Sequence, residues 1–89
     1  MRVKWNKDEK EKLLQKIINS SNNIRFNEIV CCAEYFGFKL DRVNGSHHIF
    51  MHSNINELLN LQNVKGKAKP YQVKQFLNLI ERNNLTMSE

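Results

Sequence analysis

Leu13, Leu14, Ile17 and Ile18 recur at helical spacing within an otherwise charged stretch, and this narrow apolar stripe predicts a helix over roughly 7–19. Asn6 followed by Glu9 has the form of a capping box that opens it. Ser20-Ser21-Asn22-Asn23 breaks the pattern, because each of these side chains can bond local backbone in competition with the helix. A second helix is expected over 27–36. Asn27 is its N-cap, Phe26 staples onto Cys31, and Ile29, Val30, Ala33 and Phe36 form its buried face. Gly37 is the expected left-handed residue just past its end.

After Gly37 the hydrophobic period shortens to that of a strand. Phe38-Lys39-Leu40-Asp41-Arg42-Val43 alternates, with Phe38, Leu40 and Arg42 on one face. Asn44-Gly45 is a hairpin turn signal, since both residues tolerate positive φ. The returning strand, 46–52, places His47, Ile49 and Met51 on one side and His48, Phe50 and His52 on the other, with His52 expected at a solvated strand end. Residues 58–64 predict a third, short strand, and Lys65-Gly66-Lys67-Ala68-Lys69 a basic loop. Pro70 fits the first position of a last helix carrying Val73, Phe76, Leu77 and Ile80 at i, i+3, i+4 and i+7; Asn83-Asn84 ends it. The order is α-α-β-β-β-α. It predicts an α+β fold with helices on one face of a three-stranded antiparallel sheet and the other face open to a ligand.

Composition narrows the function. A chain of 89 residues is too short for a multi-domain enzyme, a dinucleotide-binding fold or a (β/α)8 barrel. Its longest uninterrupted apolar run, Ile29 to Ala33, is far too short to span a bilayer. The start Met-Arg-Val-Lys-Trp-Asn has no apolar signal core, and adjacent Cys31 and Cys32 make a poor disulfide, so a cytoplasmic protein with reduced thiols is expected. The net charge of +5 is unevenly spread. Residues 1–16 hold +3, and residues 39–74 hold +4 from Lys39, Arg42, Lys65, Lys67, Lys69 and Lys74 against Asp41 and Glu57. Such clustering suits a solvated surface or the footprint of a polyanion, and composition alone does not decide.

His47, His48 and His52 form the most informative cluster. The four-residue step from His48 to His52 suits metal chelation on a helix, not on a strand, and no Cys, Asp or Glu stands at ligand spacing nearby, so no metal or other cofactor is expected. Two mid-helix cysteines make poor nucleophiles. General acid–base work by one histidine fits better, because its ordinary pKa allows proton exchange at neutral pH. RNA supplies its own nucleophile, the 2′-hydroxyl, so a nuclease need only move protons and stabilise a crowded, anionic phosphorus centre. From spacing alone, a surface histidine is the simpler reading.

Gly45-Ser46-His47-His48-Ile49-Phe50, preceded by Gly37-Phe38, resembles the signature hairpin of HicA toxins, small ribonucleases of bacterial type II toxin–antitoxin systems. The stretch from Asn60-Leu61-Gln62 through Gly66-Lys67-Ala68-Lys69-Pro70-Tyr71-Gln72 is similar to a longer subgroup of that family, and the resemblance spans roughly residues 24–85. It implies a toxin domain over 24–89 with the α-β-β-β-α fold of a double-stranded RNA-binding domain, preceded by a basic helical arm over 1–23. It implies metal-independent cleavage of mRNA and neutralisation by a HicB-like antitoxin that covers the active site. The histidine after Gly-Ser maps onto His47 as the catalytic residue, with His48 as the alternative proton carrier. Gly45 permits positive φ and close approach of a phosphate; Ser46 can donate to it; Lys39, Arg42, His48, Lys65, Lys67 and Lys69 are the further RNA-binding candidates. Compact members carry a Pro-His pair near the third strand, where this chain has Asn60-Leu61-Gln62-Asn63. A non-catalytic RNA-binding module of the same fold is the alternative reading.

Overall fold

The computed structural model describes residues 6–87. Three helices, α1 (Lys7–Asn19), α2 (Phe26–Tyr35) and α3 (Pro70–Arg82), accompany four strands, β1 (Lys39–Asn44), β2 (His47–Met51), β3 (Leu59–Val64) and β4 (Lys67–Ala68). The strands form one antiparallel sheet in the order β1-β2-β3-β4. This is the expected α+β layout, with a two-residue fourth strand added at the edge.

Helix termini follow local chemistry. Asn6 Oδ1 accepts from Glu9 N–H at 2.8 Å and Glu9 Oε1 accepts from Asn6 N–H at 3.1 Å, so the capping box forms as expected. The start of α2 differs. Its N-cap is Arg25, not Asn27, because Glu28 Oε1 accepts from Arg25 N–H at 2.9 Å and Phe26 is buried at the first helical position. The helix ends in a Schellman motif: Phe38 N–H donates to Ala33 O at 3.1 Å and Gly37 N–H to Glu34 O at 3.0 Å, with Gly37 at φ +96°. α3 ends the same way with Asn84 (φ +53°) in the glycine's place and Leu85 N–H bonded to Ile80 O.

The core lies between the helices and one face of the sheet. Ile17 of α1, Ile24, Ile29 of α2, Phe38, Phe50 of β2, Leu59 and Leu61 of β3, and Val73 and Phe76 of α3 are all essentially inaccessible to water. Phe76 meets Phe36 and Phe38 edge-on, with ring centroids 5.8 and 6.1 Å away, the arrangement favoured by the aromatic quadrupole. On α3 the buried stripe is Gln72, Val73, Phe76 and Leu79, leaving Leu77 and Ile80 half-buried beside it. On α1 only Leu13 and Ile17 are buried, and Ile18 is half exposed. The segment after α1 is stitched to the far edge of the sheet. Ala68 N–H donates to Ile24 O, Phe26 N–H to Gly66 O, and Lys67 Nζ to Asn23 Oδ1 at 2.7 Å.

Both hairpin turns depart from the sequence reading. Asn44 belongs to β1 and faces His47, so the two-residue loop is Gly45-Ser46, with positive φ at Gly45 alone as in a type II′ turn. The basic segment 65–69 is a second hairpin: Lys65 and Gly66 both take positive φ, and Asn63 Oδ1 accepts from Gly66 N–H at 2.7 Å.

β1 carries a bulge. Leu40 pairs with Phe50 but Arg42 pairs with Ile49, so Asp41 is an extra residue against its partner strand. Residues directly opposite each other share a face. Leu40 therefore lies with Phe50 on the helix side, whereas Arg42 lies with Ile49 on the open side. The expectation that Phe38, Leu40 and Arg42 share a face fails there, because alternation restarts after the inserted residue.

Candidate functional site

The open face of the sheet is built from rows of cross-strand partners. One row is Arg42, Ile49 and Asn60; the next, nearer the Gly45-Ser46 turn, is Asn44, His47 and Gln62; Lys39 and Met51 lie at the opposite end. None of these residues is buried, in contrast to Phe50, Leu59 and Leu61 on the other side. His47 opens β2 and is half-buried, flanked diagonally by Arg42 on β1 and Asn60 on β3. Its Nδ1 lies 3.2 Å from Asn60 Oδ1, and its Nε2 has no hydrogen-bond partner among the described residues.

Of the site residues expected from sequence, Arg42, Gly45, Ser46 and His47 come together at this end of the sheet. Gly45 has φ +59° and nothing within 4 Å of where a Cβ would stand, so backbone geometry, not crowding, calls for glycine there. Ser46 O accepts from Asn63 N–H at 3.0 Å, which fixes the turn against the end of β3 and brings the Lys65-Gly66 turn to the same edge. Arg42 is exposed and ion-paired with Asp41, its neighbour in the bulge.

The other candidates are placed differently. His48 turns to the helix side, half-buried, with its ring centroid 4.7 Å from that of Phe26 and its Nδ1 3.2 Å from Ser46 O, so it does not share a face with His47. Phe26, expected to staple onto Cys31, provides that contact. Lys39 stands at the end of β1 remote from the turn. Lys65 is exposed at the second turn; Lys67 is exposed but bonded to Asn23; Lys69 is half-buried, with its ammonium 5.8 Å over the Tyr71 ring. His52 is not solvated. It is buried, with Nε2 2.9 Å from Phe36 O and its ring edge-on to Phe38. The room it occupies is left by Gly37, which has no side chain to fill it.

Asn60 is the neighbour that sequence reasoning missed. The signal was present, because pairing the expected strands 46–52 and 58–64 through their apolar faces puts residue 60 diagonal to residue 47. Burial pushes the Cys32 thiol up to about 12, with Cys31 beside it adding to the effect, so Cys32 is a packed, protonated side chain and no nucleophile. Among the described residues no three His, Cys, Asp or Glu side chains converge as a metal site, and no helix is long and apolar enough to cross a membrane. A groove of about 990 Å³ runs between α1 and the C-terminal part of α3, lined by Leu14, Ile18, Leu77, Ile80, Leu85 and Met87 among others, and includes none of the candidate residues.

No curated protein and no solved structure matched the chain. A family model did: that described as the HicA toxin of bacterial toxin–antitoxin systems matches residues 26–81. The matched span begins at the first residue of α2 and ends in the last turn of α3, so it takes in the whole sheet and the His47 hairpin. The chain therefore belongs to the HicA toxin family.

Proposed function

We propose that this toxin is a metal-independent endoribonuclease that cleaves mRNA, with His47 as its general acid or base. The observation that carries the reading is the placement of His47: first residue after the Gly45-Ser46 turn, on the open face of the sheet, with Nδ1 engaged by Asn60 and Nε2 unpaired among the described residues. In this scheme Nε2 takes the proton of an RNA 2′-hydroxyl. The oxygen attacks the adjacent phosphorus, and the bond to the 5′ oxygen breaks with a proton returned to that oxygen. Arg42 and the backbone at Gly45 and Ser46 lie where the developing negative charge would be met, and Lys65 extends a cationic track along the same edge. The other half of the toxin–antitoxin pair is, in this reading, a HicB-like protein that covers the open face in the cytoplasm.

The test is RNA incubated with purified protein in EDTA. Wild type should cut, and His47→Ala should leave the RNA intact while keeping the wild-type fold by circular dichroism. Cleavage by the Ala variant at the wild-type rate would remove His47 from the mechanism. Intact RNA with both proteins, bound in a salt-sensitive manner, would instead establish a non-catalytic RNA-binding module.

A further inference from the structure

We infer that Asn60 is a positioning residue that selects the tautomer of His47. The inference rests on the ribonuclease reading for its catalytic consequence, but its structural half is independent of it. An imidazole can use only one nitrogen as a base, and the other must then carry the proton. Asn60 Oδ1 lies 3.2 Å from His47 Nδ1, and an amide carbonyl oxygen can only accept. The proton therefore resides on Nδ1, and Nε2 keeps its lone pair.

The fold makes this contact reproducible. His47 and Asn60 sit on adjacent antiparallel strands with Gln62 opposite His47 and Ile49 opposite Asn60, which makes the pair diagonal neighbours on one face. β3 is held in that register from both sides. Leu59 and Leu61 flank Asn60 in the core, and Gln62 N–H donates to the buried Gln72 Oε1 at 2.7 Å. A slip of one residue would bury Asn60 and expose the leucines. Asn60 is thus fixed by apolar anchors on either side of it, and the amide is free to serve the ring. A neutral acceptor orients the ring without adding charge.

The proposal separates Asn60 from a merely structural residue. In the full-length protein labelled with 15N-histidine, long-range 1H–15N spectra at pH above the imidazole titration should show His47 protonated on Nδ1. Asn60→Ala should shift the population toward the Nε2–H form. In the cleavage assay the same variant should lose about five- to tenfold in kcat, the worth of one hydrogen bond, with little change in KM. Asn60→Asp keeps the shape and the acceptor but adds a negative charge. It should retain the Nδ1–H tautomer and move the acidic limb of the pH–rate profile upward, because the carboxylate favours the imidazolium. It also keeps the test alive if the Ala variant folds poorly.

A wild-type His47 protonated on Nε2, or a tautomer indifferent to Asn60→Ala, would overturn the proposal. So would an Asn60→Asp profile superimposable on that of wild type. The Nδ1–H tautomer together with intact RNA would support the Asn60–His47 contact and sink the ribonuclease reading, so the two failures are distinguishable.

Discussion

His52 Nε2 donates to the backbone carbonyl of Phe36 at 2.9 Å, while its Nδ1 accepts from Asn54 N–H at 3.1 Å. The ring bridges the end of β2 and the end of α2, lying against the one residue between helix and strand that has no Cβ. A Cβ added to Gly37 would stand 2.9 Å from His52 Nε2, and the backbone there has φ +96°.

Gly37→Ala should therefore destabilise through two separate mechanisms, a left-handed backbone and a displaced imidazole. Together they are expected to cost about 1–3 kcal/mol, seen as a lower urea midpoint at unchanged slope. In a His52→Ala background the steric half disappears, so the same glycine substitution should cost measurably less. Equal costs in both backgrounds would show that the imidazole yields freely.

Glu28 links α1 to α2. Burial acts to raise its pKa, but the hydrogen bond from Lys16 Nζ at 2.6 Å, the bond from Arg25 N–H and the two positive charges outweigh that, and the net shift is downward from 4.5. A carboxyl depressed on folding contributes stability above its unfolded pKa and loses it as pH falls through the folded value. Lys16 is half in water, so solvent screens much of the ion pair. Glu28→Gln should cost about 1 kcal/mol at pH 7, mainly from the weakened cap, and the gap to wild type should narrow as pH falls below 4.5. Denaturant midpoints across pH 3–7 would check it, and a gap that persists at pH 3 would count against the linkage.

Arg42 is the cation that the bulge delivers beside His47. Because it is exposed and its ion-pair partner Asp41 is its sequence neighbour, Arg42→Gln should leave stability within about 0.5 kcal/mol. RNA affinity should fall, and the slope of log K against log salt should drop by about 0.7, one phosphate contact on a single strand. Lys39→Gln, at the remote end of β1, should change that slope less. If the two variants are indistinguishable, the RNA does not follow the His47 end of the sheet.

Helix positions were legible in sequence wherever a chemical stop or start accompanied the periodicity. Asn6 with Glu9, Gly37, Pro70 and Asn84 all mark ends that the structure shows. The N-cap of α2 lies two residues earlier than expected because the capping carboxylate came from inside the helix and reached back to Arg25, a pattern that a search for a good N-cap side chain passes over. β4 was missed because it is two residues long and flanked by lysines, with no apolar alternation to announce it. His47 was singled out from its motif, together with Gly45, Ser46 and Arg42, but Asn60 was not. Asn60 becomes its neighbour only through strand register, and Arg42 only through an inserted residue, and neither leaves a local trace in composition.

That inserted residue sets where β1 bends. Leu40 and Arg42 are two positions apart yet lie on opposite faces, because Asp41 between them is supernumerary. Deletion of Asp41 would make them neighbours, and plain alternation would keep them against Phe50 and Ile49 on those same faces. What it would remove is the local bend and added twist of the bulge, so the deletion is expected to alter how the strand aims the Arg42 guanidinium and not which face carries it.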